Sequence, residues 1–432
     1  EPDVKNGAGG LRDFDITGWA GKARFGAMEL DDLVRLGALL PREAAEMASA
    51  RELLWRIRNL LHAHAGRRSD RLTFDEQETI ATLLGYGEGG EAVEKLMSAY
   101  YRCARRISSA RETMLLRAAP ILGRKKPREE DLGRGVRMFD GFVTMSELEL
   151  LTRDPALALR MVAVAVERRA PILPWARNEI ARAASEPTFA ESLRRSSEAT
   201  NLFRELVSNC EETQLKKGSP IAELHDLGLL LAMIPEFLPV VGRVHHDVYH
   251  VYTVDVHSVA AVDRLASLVR GELTAEHPLA CCLAAEITRK SMLFFATLLH
   301  DVGKAIGGKD HSQRGADMAV GILERLGFGA DDVAAACHLI RQHLVMYQLA
   351  TRRDLDDPGT IADFLRVVGD RESLADLYLL TVADISTTSP TSMTSWKARM
   401  LEELYHAAAR TLGGNAGDEQ RLARASAAVI EA

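Results

Sequence analysis

A histidine and an aspartate stand side by side at positions 300 and 301. They close the apolar run Phe294-Phe295-Ala296-Thr297-Leu298-Leu299 and precede Val302, Gly303 and Lys304. Neutral imidazole and carboxylate are ligands that suit a divalent cation engaged in oxygen chemistry. A turn and a cation just beyond them suit an anionic substrate such as a phosphate ester. The apolar run can bury one face of a helix, with the polar cluster emerging where that helix stops. The plainer alternative is a polar helix C-terminus stopped by Gly303.

Other side chains fit the same chemistry. His257 lies in the apolar pattern Val254-Asp255-Val256-His257-Ser258-Val259, and Asp384 in Leu379-Leu380-Thr381-Val382-Ala383-Asp384-Ile385. A buried carboxylate without a partner is costly. Leu377 and Leu380 share the face of Asp384, so its carboxylate is expected to point inward. His311 opens a new helix after Gly307-Gly308. His343 stands beyond Ala336, Leu339 and Ile340 at helical spacing, which places its imidazole on the apolar face. These two histidines suit a second ion, or else are ordinary core and helix-start groups. His338, five residues before His343, points elsewhere. His250 precedes His257 by two helical turns and is a candidate for the mouth of the site, contacting phosphate or a partner protein; its plainer reading is an exposed helix-start histidine. His245 and His246 are weaker candidates.

The elements that must position these groups are almost all helices. Periodic segments are expected at 31–40, 42–63, 75–84, 91–116, 156–168, 174–184 and 187–206, and no stretch suggests a hairpin. Residues 123–137, rich in charge and glycine around Pro127, read as a solvated connector. A second break is expected at 235–242, and Trp396 and Lys397 are expected to pack on the core beyond it. The chain has 432 residues, 47% hydrophobic and 27% charged, enough for two or three domains. Its net charge of −7 offers no basic field for nucleic acid. Five cysteines without a CxxC pattern suit a reducing compartment, so a cytoplasmic location is expected. The most apolar stretch, 227–242, is broken by Pro235, Glu236 and Pro239 and is too short for a bilayer.

The order His257, His300-Asp301, Asp384 on separated helices resembles the HD phosphohydrolase superfamily. The segment Glu1-Pro2-Asp3-Val4-Lys5-Asn6-Gly7-Ala8-Gly9-Gly10-Leu11-Arg12-Asp13 resembles the stretch just after the nucleotidyltransferase domain in the bifunctional PII uridylyltransferase/uridylyl-removing enzyme family. The resemblance continues through 54–62, 70–75 and 100–104 and is strongest from Gly242 to Ala398, above all in 242–257. It implies an all-α chain: a segment 1–30 after a missing nucleotidyltransferase domain, a helical connecting domain 31–235, an HD domain 236–412, and a linker 413–432 toward missing ACT domains. It further implies metal-dependent removal of UMP from a tyrosine of the PII signal protein, with Mn2+ or Mg2+ as one or two ions. His257, His300, Asp301 and Asp384 would hold metal, with His311 and His343 for a second ion. Catalytic work would fall to His300, Asp301 and Lys304, and Lys304 and His250 would meet the substrate.

Glutamine is expected as an effector only of a full-length member with ACT domains. The Gly-Ser and Asp-x-Asp motifs of uridylyl transfer have only scattered look-alikes, Gly218-Ser219, Asp13-Phe14-Asp15 and Asp354-Leu355-Asp356. Gly7-Ala8-Gly9-Gly10 lacks the preceding strand and the GKS/T of a phosphate loop. Two other functions remain open: a phosphodiesterase or nucleotidase for a small nucleotide, and a catalytically silent HD regulatory module.

Overall fold

The computed structural model describes residues 2–118, 128–211, 213, 215, 218–243, 253–306, 310–355, 357–389 and 391–413. These contain twenty-one α-helices and one small sheet, so the all-α expectation holds in the main. The chain divides into two compact units, Glu1–Lys126 with Val241–Thr253, and Pro127–Val240 with Val254–Ala432. The segment expected as one connecting domain, 31–235, therefore contributes to both.

The first unit holds α1 (Leu11–Phe25), α2 (Leu30–Arg35), α3 (Pro41–Ala65), α4 (Phe74–Leu83) and α5 (Gly89–Ala118). Local chemistry sets their ends. Pro41 opens α3, and the Glu43 carboxylate accepts from the Leu40 N–H at 2.8 Å. Thr73 caps α4 by accepting from the Glu76 N–H. Leu54, Ile57 and Leu61 of α3 meet Leu96, Tyr100 and Ile107 of α5 in one core. The glycine-rich start serves this packing. Gly9 has φ +74°, and a Cβ there would lie 1.9 Å from the Ala104 carbonyl oxygen, so only glycine admits the approach to α5. Its N–H donates to Asp13 Oδ2, and Arg111 binds Oδ1 at 2.8 Å. Asp13 is thus a structural anchor.

The second unit begins with β1 (Glu129–Gly133), β2 (Val136–Phe139) and β3 (Phe142–Met145), an antiparallel sheet in that order. This corrects the expectation of a bare connector without hairpins. The strands have only four or five residues, and Glu129, Glu130 and Asp131 of β1 are exposed, so no apolar alternation marks them. The sequence does carry one readable signal. Asp140-Gly141 joins β2 to β3 with φ of 49° and 85°, the geometry of a two-residue type I′ turn.

Seven helices come next: α6 (Glu149–Arg153), α7 (Ala156–Glu167), α8 (Pro174–Ala184), α9 (Pro187–Arg195), α10 (Ser197–Val207), α11 (Pro220–Asp226) and α12 (Leu229–Met233). The single helix expected over 187–206 is two. Ser196 adopts an extended backbone, and its hydroxyl accepts from the Ala199 N–H to start α10.

The remaining helices are α13 (Val254–Val269), α14 (Pro278–Ala285), α15 (Lys290–Leu299), α16 (His311–Arg325), α17 (Ala330–Gln342), α18 (Val345–Arg352), α19 (Pro358–Val368), α20 (Arg371–Thr388) and α21 (Ser395–Thr411). Central α15 packs against α13, α17 and α20. Its Leu293, Phe294, Phe295, Leu298 and Leu299 are fully buried, each worth about 1.5–3 kcal/mol. That burial fixes the point where the helix ends, at His300. Of the two residues expected to pack beyond it, Lys397 donates to the Ser392 carbonyl and lies over the Tyr347 ring. Trp396 is 52% exposed and does not join the core, because the buried face of α21 runs through Leu401, Leu404, Tyr405 and Ala408.

Candidate metal centre

Two helices end on a histidine that caps its own last turn. His300 sits at the end of α15 with Nδ1 2.7 Å from the Thr297 carbonyl oxygen; His343 sits at the end of α17 with Nδ1 2.7 Å from the Ile340 oxygen. A carbonyl only accepts, so each Nδ1 carries a proton, and in the neutral ring Nε2 is the atom with the lone pair. Both rings are buried. His257 projects from the first turn of α13 and Asp384 from the last turns of α20.

The six side chains meet in two adjoining clusters. His257, His300 and Asp384 form one, Asp301, His311 and His343 the other, with ligand atoms in each within 4.8 Å of one another. In the first, His257 Nε2 lies 3.0 Å from Asp384 Oδ1 and 3.2 Å from His300 Nε2. In the second, Asp301 Oδ1 lies 3.5 Å from His311 Nε2 and 3.9 Å from His343 Nε2. Asp301 bridges the pair: its Oδ2 faces His300 Nε2 at 3.4 Å and His257 Nε2 at 3.8 Å.

The donors fit a divalent cation. Asp301 Oδ1 is buried and has no hydrogen-bond partner among the described residues, although such an atom is costly to leave unsatisfied. Two ligands at right angles around an ion, each about 2.1 Å from it, stand roughly 3 Å apart. In the first cluster two of the three pairs already have that spacing, and the third, His300 Nε2 to Asp384 Oδ1, is 3.7 Å. Electrostatics point the same way. Burial lowers the pKa of His300, yet the Asp301 and Asp384 carboxylates outweigh it and push the imidazole up to about 10. Burial raises both carboxylates, but Lys304 and His300 hold Asp301, and His257 and His300 hold Asp384, well below the ordinary range. Burial, reinforced by the charge on His300, brings His343 down to about 4. The pocket therefore draws one positive charge strongly, and a proton and a cation compete for it.

Lys304, expected to face substrate, is paired with a residue of the centre itself. Its Nζ donates to Asp301 Oδ2 at 2.6 Å, and the residue is 8% exposed; its nearest task is to hold that carboxylate. Gly303 is not a helix stop. It lies in a tight 3-10 helix (Val302–Ile306), and a Cβ on it would meet the His311 carbonyl oxygen at 1.9 Å. His338 Nε2 lies 2.9 Å from the Val367 carbonyl oxygen; since a carbonyl accepts, this nitrogen donates, and the residue braces α17. His250, His245 and His246 lie outside the described residues. The look-alike Ser219 caps α11 by accepting from the Ala222 N–H and binds Asp263.

Sequence reasoning missed two residues. Arg314, one turn beyond His311 on α16, has Nε and Nη2 buried with no hydrogen-bond partner among the described residues. Thr387 Oγ1 lies 3.3 Å from His257 Nδ1. For Arg314 the only signal was a cation at i+3 from a candidate ligand. Among the described residues no helix is long and apolar enough to cross a membrane.

Residues 1–115 match the GlnD PII-uridylyltransferase family, and residues 274–387 match the HD domain, a metal-dependent fold whose match covers five of the six clustered side chains. Proteins named bifunctional uridylyltransferase/uridylyl-removing enzyme are similar throughout. That of Azotobacter vinelandii is 35% identical across all of this chain and 48% of its own length. That of Pseudomonas aeruginosa is 34% identical across 95% of this chain and 46% of its own. That of Azospirillum brasilense is 35% identical across 99% and 46%. The chain thus spans about half the length of the curated relatives it matches. The chain carries a GlnD PII-uridylyltransferase stretch and an HD domain, and is similar along its length to proteins named bifunctional uridylyltransferase/uridylyl-removing enzyme.

Proposed function

We propose that this chain hydrolyses the phosphodiester joining UMP to a tyrosine of a PII signal protein, in the cytoplasm, with Mn2+ or Mg2+ bound. The observation that carries this reading is the pair of adjoining clusters bridged by Asp301. The printed name of the relatives, uridylyl-removing enzyme, supplies the substrate class.

His257, His300 and Asp384 would hold one ion, and Asp301, His311 and His343 a second. A bound divalent ion supplies Lewis-acid stabilisation of phosphoryl oxygens and a water acidic enough to attack near neutral pH. The protein's own part is to fix the geometry. Lys304 keeps Asp301 ionised and oriented. The Nδ1–H bonds of His300 and His343 hold their rings and tautomers. Arg314 is the cation we assign to the non-bridging phosphate oxygens, because its buried Nε and Nη2 have no partner among the described residues. The leaving tyrosine has a solution pKa of about 10, so it departs with little help from a general acid.

The test is UMP release from uridylylated PII with Mn2+, measured beside a panel of free nucleotides. The expected result is release from the modified protein, lost in Asp301→Ala. Turnover of free nucleotides with none from uridylylated PII would replace this reading with a small-molecule phosphodiesterase.

A further inference from the structure

We infer that the two clusters fill unequally: the second takes its cation together with a phosphate-class anion held by Arg314, and only weakly without one. This deepens the reading of the centre as a metal site and rests on it. The charged side chains there are few. Asp301 and Asp384 bring two negative charges, and the Lys304 ammonium, 2.6 Å from Asp301 Oδ2, cancels one of them. The four imidazoles coordinate only through a deprotonated nitrogen, so they add no charge. Asp255, two residues before His257, is already bound to His225 at 2.9 Å. A first divalent ion therefore takes the paired clusters from a formal charge of −1 to +1, and a second takes them to +3. His257, His300, Asp301 and His343 are buried, and like charges in such a place repel strongly and are little screened.

The geometry gives the first ion to the first cluster. Asp384 Oδ1 lies 3.0 Å from His257 Nε2 and 3.7 Å from His300 Nε2, and the two imidazole nitrogens are 3.2 Å apart. The second cluster has only the Asp301 carboxylate, which also faces the first cluster and is drawn by Lys304. Its Oδ1 stands 3.5 Å from His311 Nε2 and 3.9 Å from His343 Nε2. A second ion must come with negative charge of its own, and α16 offers a place for it. Arg314, one turn beyond His311, has Nε and Nη2 buried with no hydrogen-bond partner among the described residues. These two nitrogens form one edge of the guanidinium, the fork that binds two oxygens of a single phosphate. Asp301 Oδ1 is likewise buried and unpartnered. The second cluster thus shows an acceptor suited to a cation and, one helical turn from its His311, a donor pair suited to an anion. By linkage, the anion and the second ion raise each other's affinity by the same factor, typically about 5–150-fold.

The experiment counts Mn2+ bound per chain by equilibrium dialysis, with chloride as the only anion and again with inorganic phosphate. Free Mn2+ is read on the protein-free side from its EPR signal. The proteins are the wild-type chain, Asp384→Asn, His311→Ala and Arg314→Ala. Wild type is expected to hold one ion in chloride, and to take a second at about 5–150-fold lower free Mn2+ once phosphate is present. Asp384→Asn should lose the first ion. His311→Ala should keep the first ion and gain no second with phosphate, and Arg314→Ala should keep the first ion and lose most of the phosphate effect. Two ions bound equally well in chloride overturn the inference alone, as does a second ion indifferent to phosphate or a single ion in both buffers. A phosphate-dependent ion that persists in His311→Ala, or a phosphate effect that persists in Arg314→Ala, overturns it as well. No ion bound by the wild type in either buffer overturns the metal site, and with it both the inference and the proposed hydrolysis.

Discussion

Placing a methyl group at position 303 tests how the second cluster is held. Gly303 passes so close to the start of α16 that a Cβ would lie 1.9 Å from the His311 carbonyl oxygen, 2.5 Å from Gly315 N and 2.9 Å from Gly315 Cα. All three obstacles are backbone, so no side-chain rotation relieves them. The first gap must open from 1.9 Å to at least 3.0 Å, which moves the first turn of α16 away from the 3-10 helix. His311 travels with that turn, and its Nε2 leaves Asp301 Oδ1, now 3.5 Å away. Overpacking of this kind costs about 1–3 kcal/mol, read as a fall of several degrees in the thermal melt. The chemical signature is more telling. In an Mn2+ titration of Gly303→Ala, binding at Asp301, His311 and His343 is expected to weaken by at least about tenfold. The cluster on α13, α15 and α20 keeps its affinity. Gly315→Ala is the control, since its Cβ meets Gly303 N at 3.2 Å and Ile340 Cγ2 at 3.4 Å, gaps that small shifts accommodate. A Gly303→Ala protein with unchanged melting and unchanged metal binding would refute the reasoning.

Three other perturbations probe separate parts of the account. Glu223 is fully buried and paired with Arg177, so Arg177→Met should cost roughly 3–5 kcal/mol in denaturant unfolding; a loss below about 1 kcal/mol would show that the carboxylate does not depend on this guanidinium. Burial pushes Asp376 up to about 7, with Arg289 opposing and Glu372 and Asp370 adding. A raised carboxyl contributes stability that is full below about pH 4 and lost as pH rises through about 7, at most roughly 4 kcal/mol. Asp376→Asn should therefore melt higher than wild type at pH 8 and no higher at pH 4, and equal melting at pH 8 would contradict the assignment. Arg314→Ala should lower kcat/KM for uridylylated PII by about 10–100-fold, from a lost charged hydrogen bond of roughly 1.5–3 kcal/mol. Its Mn2+ affinity should hold, and a loss confined to metal binding would remove Arg314 from the substrate.

Most of the clustered side chains were legible in sequence because they stand on or at the end of an apolar helical run, where a polar group needs a reason; His311 was marked only by its place at a helix start. The division into two sets was expected, but the place of Asp301, with His311 and His343 and bridging to the first set, was not, since it depends on where α15, α16 and α17 end in space. The partner of Lys304 escaped for the same reason: spacing shows that a lysine lies three residues beyond the aspartate, not that its Nζ turns back onto it. Thr387 offered no signal at all, because a threonine in a helix ordinarily bonds its own backbone and only the approach of α13 gives it a second contact. The small sheet was missed although Asp140-Gly141 announced a turn, since its first strand carries charge where alternation was sought. Gly303 has the look of a helix stop in sequence, and its actual demand, room for the backbone of α16, is invisible without a neighbour.

Anomalous scattering from a crystal of this chain soaked in Mn2+ bears most directly on the central claim. The account requires a peak about 2.2 Å from His257 Nε2, His300 Nε2 and an Asp384 carboxylate oxygen, with Asp301 turned toward it. A well-ordered crystal with these side chains in place and no peak between them at millimolar Mn2+ would contradict it.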